Sequence, residues 1–186
     1  MKKVIFIGLL ALTPFVASTS SADTEGSATA HVYMDVVANI AVAPETPVVD
    51  AGDIQMGDFS ATFQFRIDAN TEAVQMFMAA SDLWKGDDPL GTAVAPIPVN
   101  LSEGVVFDCD NANPLQGAGD TAAFTAAMVD INGFPAVMSE PIAFESSQNG
   151  HFSQSCRQVV TWSQNDPEKP MGEYSGKVRL TAMVLP

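Results

Sequence analysis

Apolar and polar residues alternate along most of this chain, and the alternation has period two. Ala28, Ala30, Val32, Met34, Val36, Ala38, Ile40 and Val42 are all apolar, and the intervening Ser27, Thr29, His31, Tyr33, Asp35 and Asn39 are mostly polar. Val37 and Ala41 are the exceptions. Successive side chains of an extended chain point to opposite faces, so this run of 16 residues predicts one face buried along its whole length. Strands usually span five or six residues. The stretch therefore reads as a very long strand, or as two strands in sequence with one of them used outside its own domain.

The same pattern returns further on. Ala61, Phe63, Phe65 and Ile67 alternate with polar residues, as do Val74, Met76, Met78 and Ala80, with a turn expected near Asn70-Thr71. Residues 95–101 carry Pro96 and Pro98 and belong at a sheet edge, because proline cannot donate to a ladder. Residues 104–109 read as a short buried strand and 110–120 as a loop; 122–129, rich in alanine, fit a strand or a turn or two of helix. Asn132-Gly133 is a tight-turn pair. Strands are expected at 142–144 and 152–162, then a polar loop at 163–170. In the closing strand Tyr174, Val178, Leu180, Ala182 and Val184 share one face with Gly176, and Ser175, Lys177, Arg179 and Thr181 share the other. Helical periodicity is hard to find, and twelve prolines and thirteen glycines punctuate the chain. The pattern predicts an all-β protein with a single β-sandwich domain, without internal repeats or linkers.

The first residues have the layout of a secretory signal. Lys2 and Lys3 precede an apolar run at 4–16, and Ser20-Ser21-Ala22 offers small residues for cleavage after Ala22. The expected organisation is thus a signal at 1–22 and one domain at 23–186, whose first part, about 23–42, is an N-terminal extension. Removing the signal takes two lysines and no acid, leaving 164 residues with 6 basic and 22 acidic side chains. Such a field disfavours nucleic acid and anionic membrane surfaces as partners. No later stretch reaches the roughly 20 apolar residues of a membrane span.

Cys109 and Cys156 are the two cysteines, and in an exported chain they are expected to form one disulfide. The remaining residues give little support for catalysis, and no cofactor is expected. The two histidines, His31 and His151, sit in a polar strand face and a turn. Gly172-Glu173-Tyr174-Ser175-Gly176 lacks the context of a nucleophile elbow, which stands between a strand and a helix. No pair of carboxylates stands out for glycosidase chemistry. Asp108, Asp110 and Asn111 form a weak cation candidate that falls short of a calcium-loop pattern. Met76 and Met78, on one strand face, read as core rather than as a copper site.

The closing segment Pro170-Met171-Gly172-Glu173-Tyr174-Ser175-Gly176-Lys177-Val178-Arg179-Leu180 resembles the Pro-x-Gly-x-Tyr-Ser-Gly-x-Val-x-Leu ending of chaperone–usher pilins. Residues 36–42, the prolines after them and Asp50-Ala51-Gly52 are similar to the opening of the colonisation-factor, or alpha, pilins. Spore-coat-U-like exported proteins share such ends. A disulfide is a departure from the alpha class. The resemblance implies an incomplete immunoglobulin-like sandwich whose gap is filled by the N-terminal extension of a neighbour. It makes Ala28, Ala30, Val32, Met34 and Val36 the donor strand. Val178, Leu180, Ala182 and Val184 become the strand bordering the groove, held by a periplasmic chaperone before assembly at an outer-membrane usher. The implied role is a self-assembling fimbrial subunit, in the periplasm in transit and then in a surface fibre for cell adhesion or biofilm. The alternative is a monomeric secreted sandwich that binds a ligand or carbohydrate, with its first strand kept in its own sheet.

Overall fold

The computed structural model describes residues 31–91, 93–115 and 119–185. The expected signal at 1–22 and the donor positions Ala28 and Ala30 lie outside them. The chain divides into two units, Met1–Asp35 and Val36–Pro186. The second is built from antiparallel strands, with no helix among the described residues.

Thirteen strands follow in chain order among the described residues. They are β1 (Ile40–Pro44), β2 (Gly57–Ala69), β3 (Ala73–Ser81), β4 (Trp84–Lys85), β5 (Val105–Cys109), β6 (Ala112–Pro114) and β7 (Thr121–Ala122). β8 (Phe124–Ile131), β9 (Phe134–Ser139), β10 (Ile142–Ser146), β11 (Phe152–Gln164), β12 (Tyr174–Ser175) and β13 (Val178–Val184) complete them. One sheet has the order β1-β2-β11-β5-β7. In the other, β13 pairs along β3 from Val74 to Ala80, so β10 and β9 must share the opposite edge of β3. β6 and β8 extend that sheet beyond β10 and β9, and β4 with β12 forms a small third ladder.

The two large sheets close on one core, so the fold is a β-sandwich. Alternation supplies it: Phe65 and Ile67 of β2, Phe107 of β5 and Val160 of β11 meet Met76 and Met78 of β3, Phe144 of β10 and Leu180 of β13. The order β1-β2-β11-β5 is that of the A-B-E-D sheet of an immunoglobulin domain, and β13 beside β3 takes the place of F beside C. Strands β6 to β10 are inserted between the D and E equivalents.

Cys109 and Cys156 are bonded. They stand opposite each other in the β5–β11 ladder and so staple neighbouring strands of one sheet, where antibody domains bridge their two sheets instead. Loop-closure entropy over the 47-residue separation is worth about 4 kcal/mol.

Several boundaries differ from the sequence reading. Of the expected long strand at 27–42, the described part is a strand only from Ile40, and residues 31–39 carry none. The extension expected to reach residue 42 therefore ends earlier, because Ile40 and Val42 pair with Ala69 and Ile67. Residues 95–101 form two isolated bridges, Leu83 with Ile97 and Val99 with Trp162, since Pro96 and Pro98 cannot donate to a continuous ladder. The ambiguous stretch 122–129 is extended, and the loop 110–120 holds β6. Asn132 and Gly133 turn the β8–β9 hairpin with φ of 52° and 89°, the signs that a type I′ turn requires. The closing strand breaks at Gly176 into β12 and β13.

A candidate interaction site at two open strand edges

Strands β1 and β13 end their respective sheets at the same side of the sandwich and approach each other without a ladder between them. The register decides where their backbone groups point. In the β13–β3 ladder Ser81 N–H donates to Lys177 O and Leu185 N–H to Ala73 O. Hydrogen-bonded pairs alternate in an antiparallel ladder, so Arg179, Thr181 and Met183 also direct their backbone groups at β3. The N–H and C=O groups of Val178, Leu180, Ala182 and Val184 then face the open edge. The same reasoning applies to β1, where Glu45 N–H donates to Gln64 O and Asn70 N–H to Asn39 O. Ile40 and Val42 therefore turn their backbone groups away from β2.

These residues also have the inward-facing side chains. Leu180 is buried, but Val178, Ala182, Val184, Ile40 and Val42 are only half-buried although they pack on the core. β1 covers just residues 65–69 of β2, and further along the same inward face Phe59 and Phe63 are half-buried against Trp162. Among the described residues the core is thus open along one seam, bordered by backbone donors and acceptors from both sheets.

Local chemistry fixes the strand that borders the seam. Gly176 passes so close to the end of β3 that an added Cβ would lie 2.7 Å from Ser81 Oγ and 2.8 Å from Asp82 O. Ser81, completely buried, accepts from Lys177 N–H through Oγ (2.8 Å) and from the Trp162 indole through its carbonyl (3.0 Å). Upstream, Ser175 pairs with Trp84, and the Tyr174 hydroxyl donates to Pro170 O (2.9 Å). Burial, and secondarily the charge of Asp166, pushes that phenol above its ordinary pKa, so it remains a donor. The Tyr-Ser-Gly sequence thus steers the chain over Ser81 into β13.

The start of β1 has its own clamp, which sequence reasoning missed. Asn70 Oδ1 accepts from Asn39 N–H (2.6 Å), and its Nδ2 donates to Val37 O (2.9 Å). An asparagine in a turn is so common that nothing marked this one. Just upstream, the expected donor residues Val32, Met34 and Val36 are 91%, 82% and 74% exposed.

The other candidates do not converge. Among the described residues no three His, Cys, Asp or Glu side chains are grouped to hold a metal ion. Asp108 is engaged by Arg157 in an ion pair, Asp110 is exposed, and the Asn111 backbone N–H is bound by Gln154 Oε1 (2.6 Å). His31 and His151 are exposed, and Met76 and Met78 are fully buried. No helix of the described residues is long and apolar enough to cross a membrane. No family model, no curated protein and no solved structure matches this chain.

Proposed function

We propose that this chain is a structural subunit of a surface fibre, in which the segment upstream of β1 in one copy completes the sandwich of the next by strand addition. One observation carries the reading: among the described residues, a seam with open backbone edges and half-buried core residues occurs in the same chain as an exposed, largely alternating apolar segment. Each is what the other lacks. An added strand satisfies the edge groups of β13 while its alternate side chains enter the core, the mode of recognition by β-augmentation. Burying a valine or methionine from water is worth about 1.5–3 kcal/mol, so Val32, Met34 and Val36 supply a substantial driving force.

The role belongs to an exported pilin-like subunit, carried through the periplasm to the cell surface. Its partners are other copies of itself, a periplasmic chaperone that covers the open seam before assembly, and an outer-membrane usher. Adhesion or biofilm formation is the purpose of such a fibre, and the subunit needs neither catalysis nor a cofactor.

The test is the size of the purified protein, by sedimentation and electron microscopy, with Val32→Asp beside it. The wild type is expected to form polymers. Val32→Asp is expected to stay monomeric and folded, because a carboxylate placed on the inserted face costs several kcal/mol. A synthetic peptide of residues 27–38 should bind the seam of this variant. A wild type that remains monomeric and ignores the peptide would instead support the monomeric ligand-binding alternative.

A further inference from the structure

Cations are scarce in this chain, with 8 lysines and arginines against 22 acids. Two of the eight, Lys177 and Arg179, stand at or just before the open edge of β13 in the phase that points away from the core. Neither takes part in a salt bridge among the described residues. Lys177 holds its ammonium 4.3 Å from the centre of the Phe134 ring. Arg179 has one long contact, from Nη1 to Asp130 O at 3.3 Å, which leaves most of its five donors available. The exposed segment at 31–38 carries one charge, Asp35, in the polar phase between Met34 and Val36.

Resting on the strand-exchange reading above, we propose that the incoming strand runs antiparallel to β13 in a single register, set by Asp35 of one copy opposite Arg179 of the next. Parity supports this register. It places Val36, Met34, Val32 and Ala30 beside Val178, Leu180, Ala182 and Val184, so apolar residues meet apolar residues on the inward face. Those four β13 residues are also the ones whose backbone groups face the open edge, so they form the hydrogen-bonded pairs. Asp35 and Arg179 then occupy a non-hydrogen-bonded pair, where side chains stand closest.

Direction follows from the same charge pair. A parallel strand with Asp35 beside Arg179 would lay Ile40 beside Val184 of the acceptor, yet Ile40 is already paired with Ala69 of its own sheet. The antiparallel strand instead carries Ile40 about 13 Å beyond the start of β13. A shift of two residues would set Asp35 beside Lys177, whose ammonium is engaged with Phe134.

Cysteine pairs in the full chain read the register directly. Polymers carrying Asp35→Cys with Arg179→Cys are expected to run as a covalent ladder on a non-reducing gel. Asp35→Cys with Lys177→Cys, and Asp35→Cys with Thr181→Cys, which report the two neighbouring registers, should give none. Charge reversal is the second readout: Asp35→Arg or Arg179→Asp alone should weaken assembly about fivefold, and the two together should restore it. A ladder from either shifted pair, a disulfide closed within one chain, or reversals that add without restoration would overturn the register while polymers still form. Wild-type protein that forms no polymer would remove the strand-exchange reading and this register with it.

Discussion

Val74, Met76, Met78 and Ala80 in β3 and Val32, Met34 and Val36 near the start of the chain show the same period-two alternation with similar residue types. The first four are entirely buried, whereas the last three are 74–91% exposed. The difference lies in the neighbours. β3 has β13 along one edge and β10 and β9 along the other, and its inward face meets the sheet containing β2 and β11. Residues 31–39 have no strand partner among the described residues. Alternation specifies that a face is fit for burial; it does not specify which molecule buries it.

The largest expected effect tests this contrast directly. Met76→Asp places an unpaired carboxylate in the core at a cost of several kcal/mol, a large part of an ordinary domain's total stability of about 5–15 kcal/mol. The variant should fail to fold, with no cooperative melt by circular dichroism. Val32→Asp should move the melting midpoint of the isolated subunit hardly at all, because surface substitutions usually change stability by less than about 0.5 kcal/mol. Equal losses from the two changes would mean that both segments belong to one core.

Removing the disulfide comes next. Cys109→Ala with Cys156→Ala should lower the stability read from denaturant unfolding by about 4 kcal/mol. The loss falls between β5 and β11, with β2 standing between them and the open edge of β1. Binding of the 27–38 peptide, measured below the melting temperature, should be retained. Loss of binding in a folded variant would show that the staple shapes the seam as well.

Much of the sandwich was legible because its strands have one wet face and one dry face. The pattern of Ala61, Phe65 and Ile67 marked β2, and that of Leu180 and Ala182 marked β13. It failed where a third influence acted. The break at Gly176 comes from the close passage over Ser81, a contact between residues 95 positions apart that no local pattern encodes. The bridges at Ile97 and Val99 satisfy burial without a ladder because prolines interrupt it. Gln154, Gln158 and Gln164 are buried on the inward face of β11, which composition alone reads as wet. Gln158 stands between Phe63 and Phe107, and its amide has no partner in the described structure. The seam itself was legible only as two well-patterned ends, since which edges stay open is a property of topology.

Gly176→Ala probes the element that brings β13 to the seam. The added methyl meets Ser81 Oγ and Asp82 O at under 3 Å, and overpacking of this kind costs typically about 1–3 kcal/mol. The melt should shift accordingly, and assembly should fall further than stability because the start of β13 is displaced. Ser175→Ala, which loses a surface hydrogen bond to Asp87, is the control and should leave assembly unchanged. If Gly176→Ala lowered stability and assembly equally, the close passage would serve the fold alone.

The smallest effect concerns a carboxylate just past the end of β3. Asp82 follows β3, is partly buried, and accepts a hydrogen bond from Val99 N–H (2.9 Å). Burial raises its pKa above the ordinary 3.8, and the Val99 bond only partly opposes this. The native state therefore holds the proton more tightly than the unfolded chain. The stability from this group is fully present below about pH 4 and is lost as pH rises through the higher native value. Asp68 behaves in the opposite sense. Hydrogen bonds from Ser153 and Arg66 lower its pKa, so its contribution is present above its ordinary value and fades as pH falls. Asp82→Asn keeps an oxygen for Val99 and removes the charge. Above about pH 4 its stability, followed by denaturant midpoints, should decline less with rising pH than that of the wild type. Peptide binding at the seam should show no such difference between the two proteins. An unchanged pH profile in Asp82→Asn would place the titrating group elsewhere, and a profile shared by folding and peptide binding would tie this carboxylate to the seam.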